Sequence, residues 1–230
     1  MSHVAIDTLR DRADQVQVAI EAACAAVDRS PDSVTVVAVS KMVDRASMQA
    51  AYDLGFRHFG ENRVQDARIK LAEPMPDDCV LHLIGQLQTN KTNHAVDIFN
   101  VIESVDRPSL IAELEKQAAR REIKLPIMLQ VNVAGEAQKA GCEPESAGEL
   151  ATAIAWSEHL SFQGLMTMAP LVDDPEDVRT VFRNLRELRD QLQDDTGMAL
   201  PTLSMGMTND FAVAIEEGAT HVRIGRAIFG

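Results

Sequence analysis

The chain has 230 residues, 46% of them hydrophobic, enough to bury the core of one large α/β domain spanning 1–230. With 35 acidic residues against 22 Lys and Arg, the net charge of -13 speaks against a nucleic-acid partner, which needs clustered cations. Three scattered cysteines, Cys24, Cys79 and Cys142, exclude a disulfide framework or zinc site, and no apolar run reaches membrane-spanning length, so the expected setting is cytoplasmic, away from membranes.

Residues 3–29 place Leu9, Ala13, Val16, Ile20, Cys24 and Val27 at three- and four-residue spacing, which predicts a long helix stopped by Pro31. The run Val34-Thr35-Val36-Val37-Ala38-Val39 lacks the alternation of a half-wet strand and reads as a strand buried on both faces, ending in Ser40-Lys41. Asp44 caps a helix to about Leu54, closed by Gly55. Phe56–Phe59 is the second strand, ending in Gly60-Glu61-Asn62, and a helix follows over 63–71. Cys79–Gly85 is the third strand, 86–94 a short helix, and Ile98–Glu103 the fourth strand. Pro108 opens a helix to about Lys124 with its basic residues toward the end, where the helix dipole favours them. Leu125–Val133 is the fifth strand, and Pro144 opens a helix carrying Leu150, Ile154 and Trp156. Phe162–Met168 is the sixth strand, Asp174-Pro175 caps a long helix, and Leu200–Met205 is the seventh. Asn209 begins a helix ended by Gly218, and Thr220–Gly225 is the eighth strand.

Strand and helix alternate through eight strands after one extra helix, which predicts an α/β parallel (β/α)8 TIM barrel rather than an open doubly wound sheet. Closure makes the first and eighth strands neighbours. The N-terminal helix is then expected to cover the place of a full helix after the eighth strand.

In such barrels chemistry sits at the carboxyl ends of the strands, where Lys41 falls. Beside it come two small-residue turns, Ser204-Met205-Gly206-Met207-Thr208 and Gly225-Arg226-Ala227, in the position where barrels hold phosphate on backbone amides. A lysine beside a phosphate cradle points to a phosphorylated aldehyde held as a Schiff base, which requires a neutral amine and hence desolvation or a nearby cation. Arg223, two residues before Gly225, shares that glycine's side of the sheet and is the expected cation, the alternative being an arginine buried by an ion pair to Glu61 or Glu103. No metal-ligand spacing exists among the six histidines; His58, His82 and His221 read as barrel-strand residues, with His82 a minor candidate for contact. Lys91 and Lys139 lie after the third and fifth strands and read as solvated loop lysines, while Met166, Met168, Met205 and Met207 read as barrel filling.

The stretches VAVSK, HFGEN, LIGQLQTNK, GLMTM, LSMGMTNDF and VRIGRAIFG, in this order from Val34 to Gly230, resemble the pyridoxal phosphate homeostasis protein family, single-domain relatives of the alanine racemase barrel. The resemblance implies a fold-type III barrel binding pyridoxal 5′-phosphate (PLP) through Lys41. It implies phosphate contacts from Ser204 and the Gly225-Arg226 turn, Arg223 near the pyridine nitrogen, and Asn62 close to the cofactor. The family often has threonine or serine where this chain has Arg226, so only the backbone amide carries over there. It also often has a proline near the position of Asp44.

An arginine at the pyridine nitrogen weakens the electron sink that carbanion chemistry needs. A racemase further needs a second acid/base group opposite the lysine, which the resemblance implies is a tyrosine from another domain; the one tyrosine here, Tyr52, falls on an outer helix. The leading expectation is therefore a PLP storage or transfer protein, monomeric, with apo-PLP enzymes as transient partners. The competing readings are a slow PLP-dependent racemase and, less favoured because its lysine would sit on the sixth strand, a Schiff-base aldolase.

Overall fold

The computed structural model describes residues 4–136 and 140–230. In chain order the elements are α1 (Ile6–Ala26), β1 (Thr35–Val39), α2 (Arg45–Asp53), β2 (His58–Glu61), α3 (Val64–Lys70), β3 (Val80–Leu83), α4 (Thr92–Ile98) and β4 (Val101–Val105). They continue with α5 (Pro108–Ala119), β5 (Leu125–Gln130), α6 (Ala147–Ala155), β6 (Leu160–Met166), α7 (Arg179–Thr196), β7 (Thr202–Met207), α8 (Phe211–Glu216), β8 (His221–Ile224) and α9 (Arg226–Phe229). Each strand pairs in parallel with the next, and β8 pairs with β1, closing an eight-stranded barrel.

Local chemistry sets the boundaries. Asp44 accepts the Ser47 backbone N–H at 2.8 Å and starts α2, and Gly55 follows the helix with φ +105, a conformation that suits glycine. Gly197 ends α7 in the left-handed region, with φ 69. One predicted strand start moved: Ile98 belongs to α4, because the Phe99 N–H still bonds Ala95 O, and β4 begins only at Val101. Trp156 is 84% exposed. It lies two residues, or about 200° of helical rotation, beyond Ile154 and so faces away from the α6 stripe of Ala147, Leu150, Ala151 and Ile154.

The main core lies between strands and helices, while Val101, Met128 and Met166, with Val80 and Met168 against them, form a separate apolar cluster. Val101 pairs in register with His82, so this second cluster fills the barrel interior. Met205 belongs to the outer core, not to the barrel filling predicted for it. The cause is the alternation along β7, which turns Ser204 inward and Met205 outward. Helix α1 packs against α8 and α9, covering the closure between β8 and β1 as its position in the chain predicts. Among the described residues no helix is long and apolar enough to cross a membrane.

Candidate functional site

Strands β7, β8 and β1 are consecutive neighbours in the closed barrel, so the turns that follow them meet at one rim. Lys41 is the second residue of a four-residue turn directly after β1, closed by the Val43 N–H donating to Ser40 O at 3.1 Å, and its side chain is exposed. Asn62 follows β2, half-buried, its backbone pressed against β3: a Cβ at Gly85 would lie 2.2 Å from Asn62 O. Gly225 sits with its α-hydrogen side toward Val39, where a Cβ would come within 3.4 Å. Arg226 opens α9 with an exposed side chain.

A bulge near the rim decides which side chains of β7 look inward. Ser204 pairs with His221 but Met207 pairs with Arg223, so β7 carries one residue more than β8 over this span. Gly206 takes up the bend with φ +90, and a Cβ there would strike Ala214 of α8 at 2.6 Å. Only glycine fits. The bulge brings Met207, not Gly206, to the side shared with Arg223, and leaves the half-buried Thr208 on the turn beyond.

Below the rim the barrel interior holds a continuous polar chain. Arg223, 4% exposed, donates from Nη1 to Ser204 Oγ at 2.7 Å and from Nη2 to Thr167 O at 2.6 Å. Ser204 donates onward to Glu103 Oε2 at 2.5 Å, and His82 Nδ1 donates to Glu103 Oε1 at 2.6 Å. His82 Nε2 lies 2.9 Å from His58 Nδ1, and His221 completes a group of three imidazoles with centroids 5.2 to 6.1 Å apart. Burial raises the Glu103 carboxyl pKa, but the His82 hydrogen bond and charge, the Arg223 charge and the Ser204 hydroxyl outweigh it and hold the group at about 2. Burial also lowers His58 and His221 to about 4, keeping both neutral near pH 7, and lowers the pKa of Arg223 against the opposing pull of Glu103 and Asp210. Of the two ion-pair partners anticipated for Arg223, neither touches it directly: Glu103 acts through Ser204, and Glu61 faces the helix layer.

There Glu61 meets a residue that the sequence reading passed over. Lys70 on α3 donates from Nζ to Glu61 Oε1 at 2.7 Å and to Ser40 O at 2.6 Å, with both side chains 1% exposed. The signal was present: Val64, Ala67 and Lys70 share one helical stripe at three-residue spacing, so a lysine stands among buried apolar positions.

The remaining candidates fall elsewhere. His82 spends Nδ1 on Glu103 and faces His58 rather than the rim. Lys91 is half-buried beside a cavity of about 70 Å³ between α3 and α4, with Arg68 and His94. Lys139 lies outside the described residues. Tyr52 donates to Asp78 at 2.8 Å and stacks under Arg57 at 4.0 Å. Arg57 and Asp78 precede β2 and β3, which puts Tyr52 at the barrel end opposite Lys41. Among the described residues no group of His, Cys, Asp and Glu is arranged to hold a metal ion.

The eight-stranded parallel barrel is of the alanine racemase type: the family model "Alanine racemase, N-terminal domain" matches residues 17–230. The pyridoxal phosphate homeostasis protein of Aquifex aeolicus is 42% identical over 96% of this chain and 96% of its own length. That of Pseudomonas aeruginosa is 39% identical over 98% and 96%. Among solved structures, PipY of Synechococcus elongatus with PLP bound superposes with a TM-score of 0.85 at 33% identity, covering 96% of this chain and 100% of that one. The chain belongs to the pyridoxal phosphate homeostasis protein family.

Proposed function

We propose that this protein binds PLP as a Schiff base on Lys41 and serves its storage and transfer in the cytoplasm, as a monomer, without catalysing turnover of its own. The observation that carries the reading is the convergence on one rim of the exposed Lys41 amine, the turns after β7 and β8, and Arg223 directly beneath. The residues fit the group. Gly206 stands where a side chain would strike α8, and Gly225 carries none beside Val39, so at neither position does a side chain obstruct backbone contact with a phosphate. When bound, PLP supplies an aldehyde carbon that condenses with an amine and a ring that withdraws electrons from it.

Lys41 would provide the amine, and Asn62, half-buried directly after the adjacent strand, would lie close to it. Arg223 is held at Nη1 and Nη2, so its cation is fixed in place and would disfavour a proton on a pyridine nitrogen bound beside it. Ser204 has its hydroxyl committed to Glu103 and Arg223, and enters the site as the support of that arginine. Phosphate then falls to the backbone of the Gly225-Arg226 turn and to the turn after β7, where Thr208 carries the next hydroxyl. Tyr52, at the far end, offers no second acid or base on the face opposite Lys41. Apo-PLP enzymes are the natural recipients of a reversibly held aldehyde.

The test is spectroscopic. Purified protein titrated with PLP is expected to turn yellow, Lys41→Ala to stay colourless, and borohydride reduction followed by peptide mass mapping to place the adduct on residue 41. Adduct on another lysine, or brisk racemisation of any amino acid, would overturn the reading.

A further inference from the structure

We propose that Lys70 is a positioning residue for Lys41: by gripping Ser40 O and Glu61 together from the helix layer, it fixes the turn that presents the reactive amine. The inference rests on the proposed role of Lys41 and extends it to a side chain on the opposite face of the sheet.

Ser40 is held at three atoms. Its N–H donates to Gly60 O at 3.0 Å, the last rung between β1 and the chain of β2. Its hydroxyl donates to Glu61 Oε1 at 2.6 Å, the same oxygen that Lys70 binds. Its carbonyl accepts from Lys70 Nζ and from the Val43 N–H that closes the Lys41 turn. Ser40 is the first residue of the turn that carries Lys41, so fixing its carbonyl and hydroxyl fixes where that turn begins. Glu61 ties the same clamp to β2, whose following residue is Asn62. One buried ammonium thus sets two rim positions at once.

Stability alone does not account for this pair. Exchanging a buried ion pair for apolar residues of similar size is often neutral or stabilising, because desolvation offsets the attraction. Glu61 Oε2, moreover, is buried with no hydrogen-bond partner among the described residues, a defect that a purely structural pair would be expected to repair. Enclosure also separates the two lysines by role. At 1% exposure Lys70 is closed to an aldehyde, whereas Lys41 is open to one.

The experiment compares wild type, Lys41→Ala, Lys70→Met, Lys70→Arg and the double variant Lys70→Met/Glu61→Leu, each titrated with PLP. The double variant removes the charge pair without leaving either ion alone, so it keeps the question answerable if Lys70→Met does not fold. Folded variants lacking the Lys70 cation are expected to bind PLP about tenfold more weakly, since the turn is no longer pre-organised. The pH at which their yellow band fades is expected to shift, and Lys70→Arg to recover part of both properties. Wild-type affinity and an unshifted band in the folded double variant would overturn the proposal. A yellow Lys41→Ala protein, or a colourless wild type, would instead remove the Lys41 reading on which it rests. Borohydride is expected to leave Lys70 unlabelled throughout.

Discussion

Glu103 is the residue whose removal tests the interior network most directly. It is fully buried on β4, accepts from His82 and Ser204, and is the carboxylate that balances Arg223 through the serine hydroxyl. Glu103→Ala leaves the guanidinium in the barrel without that compensation, and breaking a buried charge arrangement from one side costs about 3–5 kcal/mol. Glu103→Gln keeps the shape and part of the hydrogen bonding, so its cost is set at about 2 kcal/mol, the worth of a hydrogen bond to a charged group. The pH dependence gives a second handle. The folded pKa lies below the ordinary 4.5, at about 2, so the stabilisation is complete above pH 4.5 and is lost as pH falls toward 2; the interval corresponds to about 3 kcal/mol. Urea denaturation of wild type and both variants at neutral pH, repeated at falling pH, is the assay. Wild type and Glu103→Gln are expected to converge as the solution is acidified and Glu103 itself is protonated; above that, the loss due to neutral His58 and His221 is larger in Glu103→Gln, because the Glu103 charge raises both imidazoles in the wild type. A Glu103→Ala cost below about 1 kcal/mol, no larger than an ordinary surface change, would refute the reasoning.

Gly164→Ala is expected to lower stability by about 3 kcal/mol or more in the same assay, because a Cβ there would sit 1.9 Å from Thr202 O on the paired strand. The three buried cysteines are expected to resist iodoacetamide at neutral pH until the protein is unfolded, since burial raises the thiols of Cys24 and Cys79 and pushes Cys142 up to about 12; rapid labelling of the native protein would contradict this.

The barrel was legible because its strands announce themselves by what they lack. The Val34–Val39 run has no wet face, and turns built on Gly55, Pro108, Asp174-Pro175 and Gly218 punctuate the units that follow. The rim position of Lys41 follows from that strand alone. Partnerships inside the barrel were not legible in the same way. Ser204 is expected from the resemblance as a phosphate contact, and its hydrogen bonds to Glu103, which arrives from the fourth strand, and to Arg223 could not be read from its own stretch of sequence. Lys70 broke the apolar stripe of α3 and could have been flagged there, but its partners come from β2 and the end of β1, at separations of 9 and 30 residues.

The arrangement of charge also bears on the proposed preference for holding over turnover. Carbanion chemistry on a pyridine cofactor depends on a carboxylate at the ring nitrogen to keep it protonated. Here two buried carboxylates influence Arg223, and each is occupied elsewhere: Glu103 by Ser204 and His82, Asp210 by the Met207 N–H at 2.6 Å. The charge left facing inward from β8 is the cation, braced by Ser204 and the Thr167 carbonyl so that it cannot swing aside. Making the site an efficient electron sink would require more than replacing Arg223 with an acid, because that acid would enter a cavity already balanced around Glu103 and would be held neutral by its neighbour's charge. The interior network therefore stabilises one electrostatic state, a fixed Arg223 cation balanced through Ser204 by an ionised Glu103, and that is the state the proposed holding role requires.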